Sequence, residues 1–270
     1  MNPKYEALMR SLGVNLPVID FAMGRIPSPM AGASTPAEWY VFPPALMPIS
    51  SDGSWPSYLG LWKHWFTTRP ASYVRLLVGS HSQTVEIARS DVQFTCSLVV
   101  SAVVSRDGAD DVARRFADAL QVANLEEIDA ITLQTEDDPR GLVKLPQFQD
   151  AVPLASCAVD CRYDGWFPAA ESAIPWWLTA CELELPDDPS GILPGYEIAP
   201  WLHPGSKVEL FNQLLAAGSL AGAWLTLNSR GWQVSEAKRA LAKLAGLSGD
   251  LTFGRLADAW TSVAEGDQSY

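Results

Sequence analysis

The stretch Ser57-Tyr58-Leu59-Gly60-Leu61-Trp62-Lys63-His64-Trp65-Phe66 decides how the rest of the chain reads. A period of two along it puts Tyr58, Trp62, His64 and Phe66 on one face and Leu59, Leu61, Lys63 and Trp65 on the other. Large apolar groups on both faces predict a central strand packed on each side. The same period holds outward, with strands expected at Trp39 to Phe42, Leu46 to Ile49, Ser72 to Gly79 and Thr84 to Ala88. Ser51-Asp52-Gly53-Ser54 and Thr68-Arg69-Pro70 supply turns between them. The gaps are too short for crossover helices, so the strands form an antiparallel meander.

Helical spacing flanks this sheet. Asn2, Pro3 and Gly13 frame a first helix with Tyr5, Leu8, Met9 and Leu12 on one stripe. From Val14 to Pro36 no period persists, and the segment reads as an irregular connection. Ser90 and Gln93 have capping-box spacing, followed by a stripe of Val92, Cys96, Val99, Val100 and Val103. A further helix over Asp110 to Ala123 is expected to bury Val112, Phe116 and Leu120. Asp137-Asp138-Pro139-Arg140-Gly141 and Asp187-Asp188-Pro189-Ser190-Gly191 share the pattern D-D-P-x-G and read as type I turns between short apolar runs. Beyond Ser206 the chain is helical, with Ser206 and Glu209, Ser235, and Thr252 as successive starts and Gly218 and Gly246 as stops. The fold class is therefore α+β, a mainly antiparallel sheet with packed helices and a helix-rich C-terminal part. A boundary near Pro204 would separate an α+β domain, 1–204, from a helical subdomain, 205–270; no flexible linker marks it, and one continuous domain is the alternative.

At 270 residues and 48% hydrophobic, the chain is long enough and apolar enough to bury a substantial core. No run approaches the roughly 20 apolar residues of a membrane span. The opening residues carry no apolar stretch behind the first basic residue, so the expectation is a cytoplasmic protein that keeps Cys96, Cys157, Cys161 and Cys181 reduced. Cys157 and Cys161 lack zinc-knuckle spacing, and neither a metal nor another cofactor is expected.

Charge is distributed unevenly. Between Arg106 and Ser190 stand 18 Asp and Glu against 6 Lys and Arg, whereas the remainder holds 13 of each. The whole excess of −12 therefore lies in one middle segment. A solvated, solubilising surface accounts for this; so does a docking face for a basic protein partner, with Glu136, Asp137, Asp138, Asp160, Asp164, Asp187 and Asp188 as candidate contacts. Such a surface disfavours nucleic acid.

Nucleotide-binding, nucleophile-elbow and zinc-protease signatures are absent, and no catalytic residue stands out. A ligand pocket walled by Tyr58, Trp62, His64 and Trp65 is the alternative function, an enzyme or small-molecule binder, although His64 has no acid nearby in sequence. Lys238, Arg239 and Lys243 precede a compact turn as in a helix-turn-helix, but the following helix offers only Arg255 for base contacts. Oligomeric state stays open.

Phe42-Pro43-Pro44-Ala45-Leu46-Met47-Pro48-Ile49, then Ser51-Asp52-Gly53-Ser54 and Leu61-Trp62-Lys63-His64-Trp65, resemble the sheet-entry region of the SUKH superfamily. Leu12-Gly13-Val14-Asn15-Leu16-Pro17 is similar to that family's approach to the sheet. The resemblance covers about a quarter of the chain. It implies an α+β domain that serves bacteria as an immunity protein, binding and neutralising a toxin.

Overall fold

The computed structural model describes residues 3–30, 42–51, 57–63, 65–67, 70–77, 83–153, 156 and 199–264. Four strands, β1 (Leu46–Ser51), β2 (Ser57–Trp62), β3 (Ser72–Leu77) and β4 (Gln83–Ala88), form the antiparallel meander in the order β1-β2-β3-β4. The α+β class thus holds.

Sterics at the centre fix the sheet's register. Gly60 lies opposite Pro48 on one side and Val74 on the other. A Cβ at Gly60 would stand 2.7 Å from both the Met47 carbonyl oxygen and Leu46 Cδ1, so only glycine lets β1 approach this closely. Pro48, which has no N–H to give, is confined to an edge strand, and the ladder slips between Pro48 and Ser50. The Pro48 carbonyl accepts from the buried Tyr5 hydroxyl, so a helix shields that edge.

The ladder ends at Trp62 rather than continuing to Phe66. Lys63 N donates to Ala45 O at 3.0 Å, the chain bends, and Phe66 adopts φ 64. Aromatic packing overrides the alternation there, because Trp65 and Phe66 both meet Phe253, at 5.4 and 5.1 Å between centroids.

Against the sheet pack α2 (Leu16–Ala22), on β1, and α3 (Asp91–Ser105), on β4, while α1 (Pro3–Ser11) packs on α2 and bonds β1 through Tyr5. The segment read as irregular contains α2: Asn15 caps it by accepting from Val18 N at 3.1 Å, and Val18, Ile19 and Phe21 are buried. Seven residues are too few for a helical period to show. Ser90 caps α3 as expected, but Gln93 Oε1 accepts from Arg89 N at 2.7 Å, one residue before the usual capping-box partner. Asp91 ties three elements together, accepting from Asn15 N at 2.6 Å and from the Tyr73 hydroxyl at 2.5 Å, while Tyr73 stacks on Phe94. Val92 is exposed, not part of the stripe; the buried face of α3 runs through Phe94, Cys96, Leu98, Val99 and Val103.

A third layer covers α3 from the far side. It comprises α4 (Asp111–Ala119), α5 (Leu125–Thr135) and 3-10 turns at Pro139–Lys144 and Pro146–Phe148. Here α4 is shorter than expected and Val112 only half-buried, while Phe116 meets Phe21 edge-on at 5.9 Å. Sequence periodicity missed α5, whose Leu125, Ile128, Ile131 and Thr132 line its buried face.

Four helices complete the chain: α6 (Lys207–Ala216), α7 (Leu220–Leu227), α8 (Val234–Ser248) and α9 (Leu251–Val263). Ser206 caps α6 as read. The starts read at Ser235 and Thr252 shift upstream: α8 begins at Val234, and Asp250 caps α9 because its carboxylate reaches the amides of both Thr252 and Phe253. These helices share one continuous core with the sheet and α1. Trp224 and Phe253 enclose Trp65, Trp260 Nε1 donates to Phe42 O at 2.8 Å, and Asn228 Oδ1 accepts from Ala45 N at 2.6 Å. No helix among the described residues is long and apolar enough to cross a membrane.

Two outcomes follow from this packing. Gly60→Ala is expected to lower unfolding stability by about 1–3 kcal/mol, the range for forced overpacking, in urea denaturation; an unchanged midpoint would refute the steric argument. Burial raises the Tyr5 and Tyr73 hydroxyls above their ordinary 10.0 and pushes the Cys96 thiol from 9.0 to about 12. All three stay neutral in the folded chain while the unfolded chain ionises, so their contribution is intact below pH 9 and is lost as pH rises above it. Urea midpoints taken across that range should fall steeply, and less steeply in Tyr73→Phe.

Candidate partner-binding face

Because α3 is buried between the sheet and the third layer, the outer sides of α4, α5 and the first 3-10 turn form molecular surface. Over residues 106–153 this layer carries eleven Asp and Glu against five Lys and Arg. Some of that charge is neutralised internally. Arg106 pairs with Asp110, Arg114 with Glu126 at 2.6 Å, and Arg140 with Asp138. Each partnership holds its carboxyl below the usual range, Asp110 most strongly, with the amides of Ala113 and Val112 adding to the effect of Arg106. These three carboxylates are occupied at home, and Asp138 also caps the 3-10 turn through Arg140 N.

Glu136 and Asp137 are placed differently. Both are exposed at the C-terminal end of α5, where the helix dipole is itself negative. Both also occupy the left-handed region, at φ 51 and 63, with the Glu136 and Asp137 amides donating to Thr132 O. Left-handed non-glycine residues also follow the neighbouring helices: Asp107 at φ 58 after α3, and Gln121 at φ 61 after α4. Elsewhere the equivalent position after a helix is glycine, as at Gly13, Gly24, Gly218 and Gly249. In this layer polar side chains thus stand where glycine costs least.

Apolar surface accompanies the charge. Leu133 is 83% exposed, and Ala130 and Leu133 follow Glu126 along one line of α5. Val143, from the 3-10 turn packed against α5, is also exposed, and Lys144 Nζ reaches back to Gln134 Oε1 at 3.1 Å. An apolar centre rimmed by carboxylates is the anatomy of a protein-binding patch. Leu133 carries no periodic signal of its own in the sequence.

Of the candidate contacts, Glu136, Asp137 and Asp138 come together here; Asp160, Asp164, Asp187 and Asp188 lie outside the described residues, as do His64 and His81. The proposed pocket wall is differently placed. Trp62 and Trp65 are 1% and 4% exposed, Trp65 within the nest of Trp224 and Phe253, and half-buried Tyr58 meets Phe42 edge-on at 4.7 Å. His203 contributes its carbonyl to the buried Lys207 amine, which also donates to Trp201 O and is drawn below its ordinary value by desolvation. Among the described residues, no three His, Cys, Asp or Glu side chains gather as metal ligands. The chain matches no protein-family model, no curated protein and no solved structure.

Replacing Glu136 with glycine should raise unfolding stability by about 0.5–1 kcal/mol, since glycine relieves the left-handed strain and removes a charge from the negative helix pole. Denaturant titration of Glu136→Gly checks this, and a loss of stability would contradict the strain reading.

Proposed function

We propose that the chain is an intracellular protein-binding module that docks a basic partner through the outer surface of α5 and its C-terminal corner. The supporting observation is the exposed Leu133 beside Glu136 and Asp137, two carboxylates in left-handed backbone that make no ion pair among the described residues. Desolvating the leucine supplies affinity, and the carboxylates steer the approach and select for positive charge. Within this class, the resemblance to SUKH immunity proteins suggests toxin neutralisation as the specific role, with a cationic toxin as ligand. The pocket alternative draws less support, because Trp62 and Trp65 are committed to core packing.

A panel of basic protein domains, nucleases included, titrated by interferometry at low and high salt tests the proposal. A true partner should bind much more weakly at high salt and lose at least about tenfold in affinity to Glu136→Lys with Asp137→Lys. Affinity that is flat with salt, or indifferent to those changes, would overturn the assignment. Separately, a metabolite or nucleotide that raises the melting temperature would favour the small-molecule reading.

A further inference from the structure

At the tip where α8 turns into α9, two large apolar side chains stand in water. Leu247 is 58% exposed and Leu251 83%, as exposed as Leu133. The turn between them is tight: Gly249 takes φ 64, and a Cβ there would meet nothing within 4 Å. Behind the two leucines stand exposed cations, with the exposed Asp258 one turn beyond Arg255, and Lys243 Nζ donates to Asn212 Oδ1 at 2.9 Å. Arg239, Lys243 and Leu247 recur every fourth residue along α8, and Arg255 is one turn beyond Leu251 on α9. Asp250 is the acidic residue at the tip, and its carboxylate is engaged as the cap of α9.

This surface is the converse of the α5 face. One presents an exposed leucine among carboxylates, the other two exposed leucines among Lys and Arg. Within one chain the two surfaces belong to separate packings, α5 with α3 and the 3-10 turns, and α8 and α9 with each other, α1, α6 and α7. Two tips facing each other would bring like charges together, which selects against tip-to-tip pairing.

We propose that the α8–α9 tip docks on the α5 face of a second copy of this chain. Leu247 and Leu251 cover Leu133, and Lys243 and Arg255 approach Glu136 and Asp137. The contact is small and charge-dependent, so it is weak and reversible. It uses the face assigned above to a basic partner but requires no foreign protein. Self-association and partner binding can therefore fail independently.

Sedimentation velocity of the full chain over a concentration series tests it. At low salt the average mass should rise above 29.3 kDa with concentration, to a closed dimer or to longer chains, and return to the monomer at high salt. Leu251→Glu should abolish the rise. A charge swap provides the stringent control. Lys243→Glu with Arg255→Glu gives a chain acidic at both surfaces, and Glu136→Lys with Asp137→Lys gives one basic at both. Each should be monomeric alone, and an equimolar mixture should associate. All substituted positions are exposed, and circular dichroism verifies that each variant is folded. A wild-type chain that stays monomeric throughout at low salt, or swapped chains that self-associate alone as the wild type does, would overturn the proposal.

Discussion

The short segment Phe42-Pro43-Pro44-Ala45 is where the two ends of the chain become one structure. Trp260 donates to the Phe42 carbonyl and Asn228 accepts from the Ala45 amide, bonds that span 218 and 183 residues. Leu46 N meets Pro43 O, and Lys63 N meets Ala45 O. The two prolines bring no amide hydrogens into this buried place, so few donors need partners. Direct bonding satisfies what remains, and the sheet is thereby seated on α7 and α9. The same seating lets Trp65, Trp224 and Phe253 share one core.

Much of the fold was legible because its signals are local. The alternation in Leu46 to Ala88, the Ser90 cap and the stripe of Tyr5, Leu8 and Met9 each act within a few residues, and the elements they predict exist. Errors arose where tertiary contacts prevailed. Phe66 leaves the strand alternation because Phe253, far along the chain, offers a better aromatic neighbour. Both α2 and α7 are too short for a period to emerge from noise, although Asn15 with Pro17, and Ser219, were in place as caps. Nor was α5 recognisable, since Asn124 makes no side-chain cap bond and a glutamate rather than a glycine ends the helix.

The candidate face was only partly legible, for a related reason. Net charge is additive along a sequence, so an acidic segment announces itself, but which carboxylates remain available depends on folding. Arg106, Arg114 and Arg140 each occupy one, whereas Glu136 and Asp137 are presented at a helix end that gains nothing from them. Exposure of Leu133 is likewise invisible until α5 has a direction. In the aromatic stretch, Trp62 and Trp65 are interior residues, in keeping with the reading of a stretch packed on both faces.

The pin between Ala45 and Asn228 also has a bearing on birth at the ribosome. At translation rates of about 5–20 residues per second, the 183 residues between them take roughly 10–40 seconds to make. For the part of that interval after Ala88 is made, a nascent meander holding Leu46, Leu61 and Trp62 exists without the helices that later cap its entry. A cell producing this chain must therefore shelter a sticky, half-built sheet, and holdase chaperones that favour extended apolar segments are the natural custodians of the wait.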